Sequence, residues 1–433
     1  MRFYLETHGC AMNRSDSQII ESILRRAGWD KVQEPEEADV LILNTCNVKT
    51  PTEQRMVHRA KVLSSYGPLV AVGCMAVSQP ELLRPYSKVL VGPRAINNIL
   101  EAVKLAYNGK KGEFLENEAI DKAALDREPQ GLIGIVPIAE GCLGSCTYCI
   151  TRIARGRLTS FPPESILKRV RSFLEKGAIE IWLTGEDTGV YGLDLGTNLP
   201  SLLREVSSIE GEFRIRVGMM TPDSALKIKD DLLKAFKHDK IYKFFHIPVQ
   251  SGSDHILKLM GRRYTAKQFI DLIGDIRRNF EWVSVSTDII VGFPGETDED
   301  FELTLKLLEI VEPDIVNLSK FGPRPKTPAA LFKQLPRDLI KRRSKEAMKI
   351  IEEIKERRNS RYLGKEFIVL VSEKTEKGIQ GRTSCYKPVA LRKAELGFFY
   401  RVEIVDFRGN YLIGEITEKL GRAGLSIQCQ VHS

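Results

Sequence analysis

EGCLGSCTYCITRIARG, residues 140–156, is the stretch from which the rest of the chain is read. It sets Cys142, Cys146 and Cys149 four and then three residues apart, in a short loop loosened by glycine and serine. Three thiolates at that spacing reach three corners of one cuboidal cluster and leave the fourth metal corner without a protein ligand. Complete iron-sulfur sites are held by four cysteines, and closed structural zinc sites also take four ligands. No fourth Cys or His lies near the loop, so the pattern favours a metal kept open for substrate over a structural zinc.

Working outward, the βα alternation resumes at Gly131, with strands readable at LIGIVPIAE, IEIWLTG, FRIRVGM, YKFFHIPV, VSVSTDIIVGF and IVNLSKF. Six βα units are two short of a full eightfold barrel, so a partial barrel is expected. The CxxxCxxC spacing, with Tyr148 before the last cysteine, resembles the radical S-adenosylmethionine enzymes, which generally have such a barrel. The resemblance implies a 4Fe-4S cluster on Cys142, Cys146 and Cys149 whose open iron takes the amino and carboxylate groups of the methionine moiety. The cofactor then carries the chemistry and the protein positions it.

The strand ends hold the unusual residues: TGED at 184–187, HIPVQSGS at 246–253 and GFPGET at 292–297. Glu186, beside Thr184 and Gly185, is a candidate for the methionine ammonium. Gln250 and Ser251 are candidates for ribose hydroxyls, and Gly292 with Gly295 for close approach to adenine. Each cluster alone also reads as an ordinary βα turn. Arg216, on one strand face with Arg214, suggests a carboxylate contact, since charged residues are seldom buried unpaired. Tyr148 completes the cofactor-binding set. Glu296 reads as the acidic first turn of a helix.

The first hundred residues also alternate, RFYLET, DVLILNTC, LVAVGC and KVLVG separated by amphipathic segments, which predicts a parallel βα sheet. Cys10, Cys46 and Cys74 each follow a strand. A single free cysteine is commonly a small core residue, but three at one edge of a parallel sheet, where ligands gather, read as a second cluster site. His8, Asn13, Asn44 and Asn47 adjoin it, with Asn13 placed as a helix cap.

Residues 109–130 are polar and read as a linker between a domain at 1–108 and the barrel at 131–363. From Arg337 to Lys365 a long helical pattern carries eleven Lys or Arg against five Asp or Glu. Residues 364–433 turn to period two, as in a small oligonucleotide-binding-type barrel. There Arg382, Tyr386, Lys387 and Arg392 supply the cations and aromatics that suit unpaired RNA. The fold class is thus multidomain α/β with a small C-terminal β-barrel.

Two three-cysteine sites in this order, with TGEDTGVYG and STDIIVGFPGETDEDF, resemble the radical S-adenosylmethionine methylthiotransferases over almost the whole chain. TGEDTGVYG is closest to the archaeal and eukaryotic branch, which methylthiolates C2 of N6-threonylcarbamoyladenosine beside the tRNA anticodon. The resemblance implies an auxiliary 4Fe-4S cluster on Cys10, Cys46 and Cys74 that carries the sulfur, and S-adenosylmethionine as both methyl donor and radical source. It implies a TRAM domain at the C-terminus, tRNA as partner, an electron donor such as ferredoxin or flavodoxin, and a sulfur source. The rivals are an isopentenyl base, a ribosomal-protein aspartate, or a non-catalytic iron-sulfur RNA-binding protein.

Composition bounds the rest. Eight cysteines in 433 residues are too few for a disulfide scaffold and suit a reducing compartment. Cys385 and Cys429 are given no role. No apolar run reaches bilayer-spanning length and the start, MRFYLETHGC, lacks a leader pattern, so a cytoplasmic protein with no membrane partner is expected. A net charge of +8 permits a nucleic-acid partner without requiring one.

Overall fold

The computed structural model describes residues 1–424 except 117 and 377; Cys429 lies outside the described residues. The N-terminal strands are β1 Arg2–Thr7, β2 Asp30–Lys31, β3 Val40–Thr45, β4 Leu69–Gly73, β5 Val89–Val91 and β6 Gly112–Phe114. They form one parallel sheet in the order β2-β1-β3-β4-β5-β6. β3 and β4 are buried along their whole length, as strands covered by helices on both faces must be. β6 takes the N-terminal sheet into the stretch read as linker. Beyond it Lys122 and Arg127 are buried, Arg127 donating to the Ile135 carbonyl at 3.1 Å, so 109–130 is packed chain rather than a free tether.

The central domain opens with β7 Ile133–Pro137, then a short antiparallel pair, β8 Ala139–Glu140 and β9 Thr159–Ser160, which clamps the two ends of the cysteine loop. β10 Glu180–Thr184, β11 Arg214–Val217, β12 Phe244–His246, β13 Ser284–Val291 and β14 Ile315–Lys320 follow. Two three-stranded parallel sheets, β11-β10-β7 and β12-β13-β14, meet at a bridge between Ile215 and Ile241. The six strands thus make a barrel open between β7 and β14. The N-terminal domain spans that gap: helix Ala11–Arg26 packs on β7, and beyond β14 Arg324 donates to the Asn47 carbonyl at 3.2 Å and to Glu53 at 2.7 Å.

The C-terminal strands, β15 Glu366–Thr375, β16 Gly378–Thr383, β17 Pro388–Leu391, β18 Phe398–Arg408 and β19 Tyr411–Arg422, close into a barrel. It docks beneath the central strands, at their amino ends. Leu370 and Phe399 pack on Leu132 and Ile179, Phe367 meets Trp282 edge-on at 4.8 Å, and Lys243 N–H donates to the Ser384 carbonyl at 2.8 Å. No described helix is long and apolar enough to cross a membrane.

Candidate active site

Cys10, Cys46 and Cys74 stand at the carboxyl ends of β1, β3 and β4, with Cys10 and Cys46 on either side of the point where strand order reverses. Open α/β sheets bind ligands at that point. Gly73 presents Cys74 through a φ of +95°, where a side chain would strike Asn44 and the Thr45 carbonyl, so only glycine fits. Asn13 is not a cap: the helix starts at Ala11, and Asn13 lies inside it, fully buried. Its amide donates to the carbonyls of Thr45 at 2.8 Å and His8 at 3.0 Å, and its oxygen lies 3.7 Å from the Cys10 sulfur and 3.9 Å from that of Cys74. Asn44 braces it, whereas His8 turns away to Glu6 and Asn47 to Gln79.

The second triad sits above β8. Gly141, at φ +81°, faces the Arg157 carbonyl so closely that any side chain would collide with it. The Cys142 sulfur accepts the Gly144 N–H at 3.1 Å. Burial pushes the Cys142 thiol up to about 12 and the Cys74 thiol to about 11, so a cluster held on these thiols would have to displace a proton from each.

Both triads line one cavity of about 520 Å³ between the N-terminal domain and the barrel mouth. Tyr148, Thr184, Gly185, Glu186, Arg216 and Gln250 are also on its wall. Gln250, at φ +73°, holds an uncommon left-handed backbone there. Ser251 and Gly292 are not on the wall. Ser251 is buried against Thr304 at 3.2 Å, and a Cβ on Gly292 would meet Ile340 of the long helix, so Gly292 admits that helix rather than adenine. Likewise Gly295 abuts Leu259. Glu296 is not a solvated first-turn acid; it is buried in an ion pair with Arg343 at 2.7 Å.

The donor sets are thiols alone, which suit iron-sulfur clusters. Among the described residues no three His, Cys, Asp or Glu side chains converge tightly enough for a single ion, whereas a cuboidal cluster holds its thiolates farther apart.

Four buried charges lie behind the two triads. Arg155 donates to Asp16 at 2.7 Å, Glu140 at 2.7 Å and the Asn13 oxygen at 2.9 Å, while Lys122 reaches Asp16 and Glu140, each at 2.8 Å. All four ionic side chains are at most 1% exposed. The set joins the N-terminal helix, the 109–130 segment and the cysteine loop, and Arg155 bears on Cys74 as well. Glu186 sits at its edge, accepting the Gly141 N–H at 2.8 Å, with its carboxyl pushed up to about 7 by burial against the pull of Arg155. Sequence reading missed this group. Arg155, three residues after another arginine at the end of the cysteine loop, was the available signal; Lys122 had none.

Next to Arg216 of the cavity wall, Tyr386 of the C-terminal barrel packs on Tyr242 at 4.9 Å and Phe244 at 5.0 Å. Lys387 is 2% exposed, donating to Asn359 at 2.6 Å with Asp314 at 3.7 Å. Arg382 is paired with Glu373 at 2.8 Å and lies over the Tyr386 ring. Tyr386 and Lys387 therefore fasten the C-terminal domain to the central one, which corrects their reading as an RNA surface, while Arg382 is half-buried and held within the barrel. Arg392 alone of the four is exposed. Cys385 is buried against Tyr362 and Thr383.

Residues 136–308 match the Radical SAM superfamily, and residues 2–92 match the uncharacterized protein family UPF0004. The probable threonylcarbamoyladenosine tRNA methylthiotransferase of Pyrococcus abyssi is 42% identical over 96% of this chain and 99% of its own length. The threonylcarbamoyladenosine tRNA methylthiotransferase of Danio rerio is 34% identical over 96% of this chain and 79% of its own length. Among solved structures, the radical S-adenosylmethionine methyltransferase TsrM from Kitasatospora setae, with cobalamin and a [4Fe-4S] cluster bound, superposes with a TM-score of 0.58 at 13% identity, covering 76% of this chain and 77% of that one. That likeness is one of fold. A radical S-adenosylmethionine barrel facing a second cysteine triad, together with full-length identity to named relatives, settles the family: the chain belongs to the threonylcarbamoyladenosine tRNA methylthiotransferases.

Proposed function

We propose that the chain methylthiolates C2 of N6-threonylcarbamoyladenosine beside the anticodon of tRNA. The observation that carries this reading is the single cavity onto which both cysteine triads open. Cys142, Cys146 and Cys149 would hold the radical cluster, and Cys10, Cys46 and Cys74 an auxiliary cluster that carries the sulfur. When bound, the reduced radical cluster supplies the electron that splits S-adenosylmethionine into methionine and a 5'-deoxyadenosyl radical. The chain's own residues bind and orient. Glu186 would accept from the methionine amino group, Thr184, Gly185 and Tyr148 would contact the rest of the cofactor near the loop, and Gln250 its ribose.

The C-terminal barrel is read as a TRAM domain that grips RNA through exposed cations such as Arg392. The partners are a tRNA bearing the threonylcarbamoyl base, an electron donor such as ferredoxin or flavodoxin, and a sulfur source, all in the cytoplasm.

Anaerobic reconstitution followed by mass spectrometry of nucleosides from incubated tRNA tests the reading. Replacing Cys142, Cys146 and Cys149 by Ala together is expected to leave about half the iron, with no 5'-deoxyadenosine. Cys46→Ala is expected to keep 5'-deoxyadenosine and lose product. Full product from the Cys46 variant, or loss of all iron from the triple variant, would refute the two-cluster assignment.

A further inference from the structure

Arg216 stands on the wall of the cavity with its guanidinium among three rings, 5.1 Å from the centroid of Trp182, 5.3 Å from Phe244 and 5.4 Å from Tyr386. Cation-π contact of this kind fixes the plane of the fork without using its N–H groups. Among the described residues no carboxylate or carbonyl accepts from it, and its Nε is buried without a partner. A planar donor fork held by its faces and left bare along its edge, inside a cavity, is matched to a carboxylate. Arg216 is half-buried, but its Nε is shut away from water with no acceptor, which marks the fork as built for a ligand that supplies one.

Two carboxylates are expected in this cavity: the methionyl group of S-adenosylmethionine and the threonyl group of the target base. The first would lie beside the loop cysteines, which would hold the radical cluster. Arg262 is the cation there. It acts on Cys146 and Tyr148, and its own Nε has no partner. Arg216 lies instead among the rings of Trp182, Phe244 and Tyr386.

We propose that Arg216 receives the threonyl carboxylate of N6-threonylcarbamoyladenosine, an inference that rests on the substrate reading above. The same residue then sets specificity by exclusion. A base carrying an apolar group in place of the threonyl acid would leave the fork and its buried Nε without an acceptor, and sites built on a polar contact reject analogues that lack it. Tyr386 contributes a ring to this collar from the C-terminal barrel, so the domain read as an RNA grip also helps to hold the fork that reads the base.

The test uses two anticodon stem-loops of one sequence, one bearing the threonylcarbamoyl group as the free acid and the other as its methyl ester. Dissociation constants and methylthiolated product are measured for the full-length wild-type chain and for Arg216→Gln, Arg216→Lys and Arg262→Gln. The wild-type chain is expected to bind the acid about 10- to 100-fold more tightly than the ester. In Arg216→Gln that ratio collapses to within about twofold, and Arg216→Lys, which keeps the charge without the fork, restores part of it. Without RNA, 5'-deoxyadenosine formation falls further in Arg262→Gln than in Arg216→Gln.

Equal wild-type affinity for acid and ester overturns the inference, as does a wild-type ratio in Arg216→Gln. A deeper loss of RNA-free cleavage in Arg216→Gln than in Arg262→Gln assigns Arg216 to the methionyl carboxylate and also overturns it. If Arg216→Gln does not fold, the wild-type ratio and its reduction in Arg216→Lys decide. A wild-type chain that binds the acid but methylthiolates neither RNA refutes the substrate reading itself, a result distinct from any of these.

Discussion

Glu186 shows how far one side chain's surroundings can move its chemistry. Burial lifts its carboxyl from 4.5 to about 7, so the folded chain keeps a proton that the unfolded chain gives up. The sign follows from linkage: more protons bound in the folded state means that stability is greatest at acid pH and falls as pH rises from 4.5 through about 7. Glu186→Gln removes the penalty. In the metal-free chain it is expected to match wild type near pH 5 and exceed it near pH 8, by at most about 3 kcal/mol. Thermal melts across that range check this, and parallel profiles for the two chains would contradict it. That the six cysteines gather as two triads was legible from sequence, because loop spacing and strand-end position fix where a thiol falls in a βα fold. Asn13 was not, because an Asn near a helix start reads as a cap. Only the fold reveals that the helix begins two residues earlier and turns Asn13 inward between two thiols.

Among the elements, the turn between β16 and β17 was the hardest to read. Period two marks its strands, yet a strand pattern does not say which outward face another domain will cover. Tyr386 and Lys387 look like an RNA-binding pair and are instead docking groups. The two roles separate by experiment. Arg392→Ala with Lys393→Ala, both on exposed chain, is expected to flatten the salt dependence of tRNA binding by roughly 0.7–0.9 for each phosphate no longer neutralised, while leaving the melting temperature in place. Lys387→Ala is expected to destabilise by about 1.5–3 kcal/mol, because it strips a charged hydrogen bond from buried Asn359, and to leave the salt slope unchanged. The opposite pattern in salt titrations and melts would restore the sequence reading. Removal of the whole C-terminal barrel is a poorer test, since it uncovers Leu132, Ile179 and Trp282.

For the whole molecule, the N-terminal domain is the missing wall of the half-barrel. It meets β7 on one side and the segment after β14 on the other, and so brings the auxiliary cysteines to the barrel mouth. The βα alternation made both sheets legible, but not their apposition. The contacts that fix it lie in a segment whose polar composition resembles a tether, and Lys122 there is wholly buried. Arg155→Ala is expected to cost about 3–5 kcal/mol, since it leaves buried carboxylates short of a cation. Denaturant titration of the metal-free variant measures it; a loss below about 1 kcal/mol would mean that the group is solvated in the native protein.

The same four charges impose a timetable on folding. Asp16 leaves the ribosome 106 residues before Lys122 and 139 before Arg155, so the first domain can form its sheet while that carboxylate is still in water. Closure against the barrel must then dehydrate two cations and two anions together, a step with little gain until all are in place. Long-range docking of this kind is slow. Refolding of the metal-free chain is therefore expected to show a late phase that joins the two cysteine triads after each domain has gained its secondary structure. Replacing one opposite pair, Asp16→Asn with Lys122→Met, should quicken that phase, and an unaltered rate would place the barrier elsewhere. Until closure the two sets of thiols belong to separate bodies, so the chain gains the chamber that both triads share only in the last step of its own maturation.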